Sequence, residues 1–120
     1  MKRIGLVAHD EMKDEMVAFA RTHRERLGNF TLFGTGTTGG RVAEGTGLSV
    51  TLLKSGPRGG DAQLGAMICE GELDALFFFI DPLTALPHDV DVKALVRLAT
   101  LYDIPLAVNR STAEAVLASL

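Results

Sequence analysis

The sequence predicts an α/β domain with a mainly parallel, five-stranded sheet. Three observations lead there. Short apolar runs alternate with segments of helical spacing along the whole chain. One run, 75–80, is almost wholly apolar, as a central strand covered on both faces requires. Polar loops follow each run in turn, after Ala8, Phe33, Leu53, Ile80 and Val108. In such sheets these loops share one rim, and ligands bind there near the point where strand order reverses.

The first strand is expected over 4–8. A helix over 11–27 follows, with Met12, Met16, Phe19 and Ala20 on one face. A second strand over 30–33 leads through Gly34-Thr35-Gly36-Thr37-Thr38-Gly39-Gly40 into a short helix ending near Glu44. The third strand is placed over 50–53, and a second glycine-rich loop, Ser55-Gly56-Pro57-Arg58-Gly59-Gly60, opens a helix over 61–70. After the fourth strand, 75–80, come an amphipathic helix over 92–103, a fifth strand over 104–108 and a last helix over 112–120 capped by Ser111.

At 120 residues and 47% hydrophobic, the chain is read as one domain over 1–120 with a core of its own. A net charge of −3 without a basic run argues against a nucleic-acid surface, so cations for an anionic ligand must be local. The apolar start is cut short by His9, Asp10 and Glu11, too soon for a signal core or a membrane span. One cysteine, Cys69, permits no internal disulfide. The expectation is a soluble, cytoplasmic protein.

Several residues can carry chemistry, each with a plainer role beside it. The loop from Gly34 to Gly39 joins a strand to a helix, so its amides and threonine hydroxyls suit a phosphate, although a tight turn explains it equally. It has neither a Walker ending nor a dinucleotide fingerprint. Asp61 is a helix cap on the plain reading; on the other it is a base for a proton beside a carbonyl. Lys13 pairs with Asp10 on one helix face, or neutralises a phosphate while His9 donates to a substrate oxygen. In Pro87-His88-Asp89-Val90-Asp91 the aspartates cap a helix, or Asp91 orients His88 as a proton relay. His23, among Arg21, Arg24 and Arg26, is expected to be exposed, and Cys69 to be buried packing. The three histidines lack paired spacing, so no metal is assigned.

Taken together these loops resemble the methylglyoxal synthase family. The matching pieces are Leu6-Val7-Ala8-His9-Asp10 with Lys13, Thr35-Gly36-Thr37-Thr38-Gly39, and Ser55-Gly56-Pro57-Arg58-Gly59-Gly60-Asp61 with Gln63 and Gly65. Asp81-Pro82, Pro87-His88-Asp89, Asp91-Val92-Lys93-Ala94-Leu95 and Asn109 with Ser111-Thr112-Ala113 continue the match in order. The resemblance implies a Rossmann-like, three-layer α/β/α subunit in a homo-oligomer, a hexamer by preference, that uses no metal or organic cofactor. It implies a lyase that converts dihydroxyacetone phosphate to methylglyoxal and inorganic phosphate, with phosphate also a possible inhibitor. Asp61 is then the base, His88 the proton carrier at the substrate oxygens and Asp91 its orienting partner. Lys13, Thr35, Gly36, Thr37, Thr38, Ser55 and Gly56 match substrate and phosphate contacts, and His9 a further one. Many members continue past the last helix; this sequence ends at Leu120, so contacts made by such a tail are expected to be absent.

Two rivals share this chemistry or fold. One is a non-catalytic regulatory module like that of carbamoyl phosphate synthetase, which needs neither Asp61 nor His88. The other is a phosphosugar isomerase.

Overall fold

The computed structural model describes residues 1–83 and 90–120, and only the backbone at 90 and 91. Five parallel strands form one sheet in the order β3-β2-β1-β4-β5: β1 (Arg3–Ala8), β2 (Thr31–Gly34), β3 (Val50–Leu52), β4 (Ala75–Phe79) and β5 (Leu106–Ala107). The chain starts at the centre, runs outward through β2 and β3, then crosses to β4 on the other side of β1. Leu6 therefore lies beside Phe77 on one flank and Gly34 on the other.

Among the described residues six α-helices cover the sheet: α1 (Lys13–Thr22), α2 (Arg24–Leu27), α3 (Gly36–Thr46), α4 (Gly60–Cys69), α5 (Val90–Leu101) and α6 (Arg110–Ser119). Alternation along the strands assigns the layers. Ile4, Leu6, Ala8, Phe77 and Phe79 pack with Met16, Phe19, Val42 and Leu117 of α1, α3 and α6. Val7, Leu76 and Phe78 pack with Leu64, Ile68 and Leu95 of α4 and α5. Every residue of β4 is buried, so a strand with no polar face fits here alone between two helical layers.

Several boundaries differ from expectation for local reasons. The helix expected over 11–27 is a 3₁₀ turn, Asp10–Met12, then α1 and α2 separated at His23. Arginines on both sides of that break are tied to other helices: Arg21 Nε donates to the Gly45 carbonyl at 3.0 Å and Arg26 Nε to that of Leu117 at 3.0 Å. The fifth strand shrinks to two residues because Pro105 has no N–H to pair, though its carbonyl still accepts from Leu76 at 2.9 Å. The last helix starts at Arg110, and its cap is Asn109, whose side chain accepts from the Thr112 N–H at 2.9 Å. Ser111 thus lies inside the helix, since extended Asn109 already supplies the acceptor. Cys69 is exposed at the end of α4, where the helix turns Ile68 inward instead. No helix among the described residues is long and apolar enough to cross a membrane.

Candidate active site

A cleft of about 320 Å³ opens at the carboxyl ends of the strands beside β1, whose neighbour β4 lies on the side where strand order reverses. Val7, Ala8, His9, Asp10 and Lys13 line it from the β1 side, Thr35, Thr37 and Thr38 from α3, and Ser55, Gly56, Pro57 and Asp61 from the second glycine loop. Eight of the residues singled out from sequence therefore meet in one cavity: His9, Lys13, Thr35, Thr37, Thr38, Ser55, Gly56 and Asp61. His88 lies outside the described residues, as do Pro87, Asp89 and the side chain of Asp91.

The first loop is held by close packing of glycines. A Cβ on Gly34 would lie 2.6 Å from the Gly39 Cα, so the end of β2 and the first turn of α3 touch backbone to backbone. Thr38 is 2% exposed, and its hydroxyl sits between the Ala8 N–H at 3.3 Å and the Ala8 carbonyl at 3.4 Å. That contact sews α3 to the end of β1. Gly36 does not line the cleft; its N–H donates to the Lys54 carbonyl at 3.2 Å and so joins the two loops. Helix geometry leaves the N–H groups of Thr37 and Thr38 without an intrahelical acceptor, which suits an anion at this N-terminus.

The second loop is a 3₁₀ turn, Gly56–Arg58, followed by Gly59 at φ 111° and the start of α4. The Ser55 carbonyl accepts from both Arg58 at 3.0 Å and Gly60 at 2.9 Å. A Cβ on Gly60 would fall 2.1 Å from the Lys54 carbonyl oxygen, so no other residue fits between the loops. Asp61 is not the cap of α4, a place held by Gly59; it lies in the first turn. Its carboxylate stands over Gly56, with Oδ1 3.5 Å from where a Cβ there would be.

Lys13 and His9 supply the polar groups of the opposite wall. Lys13 Nζ bonds Asp10 Oδ1 at 2.6 Å, the ion pair expected from spacing, yet the lysine side chain is 13% exposed and the aspartate 88%. A cation set into the wall with so exposed a partner gives up little by turning toward an anion, because surface pairs are weak. His9 Nδ1 accepts the Asp81 N–H at 2.9 Å, which puts the hydrogen of the neutral ring on Nε2. Phe78, whose ring stands edge-on to His9 at 5.3 Å, and Val92 of α5 complete the lining with apolar surface.

The profile of the MGS-like domain matches residues 15–108. The chain is 66% identical over 112 residues to the methylglyoxal synthase of Agrobacterium fabrum, covering 92% of this chain and 88% of that one. It is 58% identical over 120 residues to that of Rhizobium etli, covering 99% and 95%. The chain belongs to the methylglyoxal synthase family. The crystal structure of methylglyoxal synthase from Elizabethkingia anophelis superposes with a TM-score of 0.92 at 45% identity, covering 97% of this chain and 76% of that one.

For this member of the family, sequence reasoning missed Pro57, Phe78 and Val92 as lining residues. Pro57 sat inside a quoted motif, and its neighbours Gly56 and Asp61 were the available signal. Phe78 and Val92 read as sheet and helix core, which they also are: Phe78 is 3% exposed.

Proposed function

We propose that this protein is a lyase that converts dihydroxyacetone phosphate to methylglyoxal and inorganic phosphate. The observation that carries this reading is the meeting of Asp61, Lys13 and the first turn of α3 in one small cleft. A carboxylate, a cation and amide donors around so small a space support a phosphorylated ketone as substrate, and relatives named methylglyoxal synthase support methylglyoxal as product.

In this mechanism the phosphate lies against the Thr37 and Thr38 amides, with Thr35, Ser55, Gly56 and Lys13 beside it. Asp61 takes a proton from the hydroxymethyl carbon, and the electrons move onto the carbonyl oxygen to give an enediolate. His9 donates to a substrate oxygen, and His88, oriented by Asp91, moves protons between the two oxygens. Once the proton has passed from the hydroxymethyl oxygen to the former carbonyl oxygen, electrons from the hydroxymethyl oxygen form the aldehyde, the carbon–carbon double bond shifts and phosphate is expelled, leaving an enol that tautomerises to methylglyoxal. Expulsion requires the C–O bond to phosphate to stand roughly perpendicular to the enediolate plane; an isomerase must hold it in plane. Backbone-clamped loops set that angle without side-chain rearrangement. The working form is a cytoplasmic homo-oligomer, a hexamer by preference, with no metal or organic cofactor.

The test is to incubate the protein with dihydroxyacetone phosphate and follow methylglyoxal and phosphate together. Equimolar release that falls by roughly 10²- to 10⁴-fold in Asp61→Asn is expected of a general base. Binding of a phosphate ester without turnover would point instead to a regulatory module.

A further inference from the structure

We propose that Phe78 is a positioning residue for this reaction: its ring holds the His9 imidazole in the orientation in which Nδ1 accepts the Asp81 N–H. The proposal rests on the reading that the cleft turns over a phosphorylated ketone. It assigns a task to a group otherwise accounted for as sheet core.

His9 follows β1 and Asp81 follows β4, so their hydrogen bond crosses the junction of the two strands at the floor of the cleft. A bond to a backbone amide is by itself a modest restraint on an imidazole. The torsion that turns the ring is broad and roughly two-fold, and a half-turn exchanges Nδ1 for a carbon. Phe78 supplies a packing restraint beside it. Its ring lies at 80° to the imidazole with centroids 5.3 Å apart. It cannot retreat, because it is 3% exposed and packed among Val7, Leu64, Ile68 and Leu95. Asp81 is itself fixed by accepting the Leu83 N–H at 3.0 Å through Oδ1. With these restraints in place the neutral ring offers its hydrogen from Nε2 at a defined position. Without Phe78 the half-turned ring becomes accessible, the Asp81 amide loses its acceptor, and the donor is misplaced.

The experiment compares Phe78→Leu with Phe77→Leu. Phe77 is the next residue of β4 but packs on the opposite face against Phe19, so its loss weakens the core without touching His9. Two quantities are read: kcat and KM for methylglyoxal release, and the ring nitrogen signals of His9 by long-range nitrogen–proton NMR on the ligand-free protein. Phe78→Leu should lower kcat by roughly 10- to 100-fold with little change in KM, the scale of a misplaced group. Its His9 signals should move from a single Nε2–H form toward an average of two tautomers. Phe77→Leu should leave both readings at the parent value, and Phe78→Tyr, which keeps the ring, should retain the single tautomer. If Phe78→Leu does not fold, Phe78→Met fills similar space without a ring and takes its place. A folded ringless variant with unchanged kcat and tautomer overturns the proposal, as does equal damage from Phe77→Leu. Should the parent release no methylglyoxal, the reaction reading fails while the NMR comparison still decides on Phe78.

Discussion

Among the described residues, two histidine–phenylalanine pairs are partnered differently. His9 lies edge-on to Phe78 and accepts a backbone N–H from Asp81. His23 lies against Phe19, at 5.0 Å and 45°, and its Nε2 meets the Glu114 carboxylate of α6 at 2.8 Å. A backbone donor leaves one nitrogen available only as an acceptor and so defines the tautomer of the neutral ring. A carboxylate accepts the Nε2 hydrogen of a neutral or a charged ring alike, and so leaves the ring's charge undefined. The first arrangement suits a group that must present one proton at one place. The second suits a strap between helices: Arg110 joins it through Glu114 at 3.5 Å and the Thr22 hydroxyl at 3.0 Å. His23, expected to be an exposed member of a charged helix, is thus a half-buried tie between α1 and α6.

Replacing each ring separates the two roles most sharply. His9→Gln should lower kcat/KM by roughly 10²-fold, the lower end for loss of a proton-handling group, with little change in melting temperature. His23→Ala should leave kcat intact and cost about 1 kcal/mol, a loss of a few degrees in melting temperature. Steady-state kinetics beside thermal melts check both. A catalytic defect in His23→Ala would join the two regions that the geometry keeps apart.

Glycines draw the same contrast at smaller scale. Gly60 and Gly40 both lie near helix N-termini in glycine-rich segments and look alike in the sequence. Gly60 leaves no room for a Cβ, which would meet backbone at 2.1 Å and Thr35 Cγ2 at 2.9 Å, whereas around Gly40 nothing lies within 4 Å. Gly60→Ala should therefore cost about 3 kcal/mol and spread the cleft loops, lowering activity as well. Gly40→Ala, in a helix interior with open space, should stabilise by roughly 0.5–1 kcal/mol. Denaturant melts of both variants decide it; equal effects would mean the loop clamp is looser than its contacts indicate.

The layers and the cleft were legible because they rest on local pattern. Short continuous apolar runs and segments of helical spacing dictate the alternation, and chain order then brings Ala8, Phe33 and Leu53 to one rim. Eight candidate residues meet there because loops after parallel strands have nowhere else to go. What stayed hidden depends on which distant groups meet. Phe78 reads as core because burial in the sheet and contact with a ligand space leave the same apolar signature. The role of Gly36 turns on the Lys54 carbonyl 18 positions away, and the cap at Asn109 on one rotamer. The break at His23 follows from carbonyls offered by α3 and α6, which no reading of 11–27 by itself contains.

The smallest expected effect concerns the strap and its pH dependence. The hydrogen bond from His23 holds the Glu114 carboxyl below its ordinary value of about 4.5; burial opposes it as the next largest influence, and the hydrogen bond and charge of Arg110 with the charge of His23 add to the lowering. A carboxyl lowered on folding adds stability that is fully present above its unfolded pKa and is lost as pH falls through the folded one. Glu114→Gln should accordingly melt slightly below the parent at neutral pH, with a gap that holds above the ordinary carboxyl value and shrinks as pH falls through the lowered one. The effect is small because the pair is partly open to solvent and screened by salt. Melts of both proteins across that range at low ionic strength check it. A gap that persists unchanged into acid would assign the strap's strength to packing of His23 on Phe19, leaving the carboxylate as a bystander to the seam.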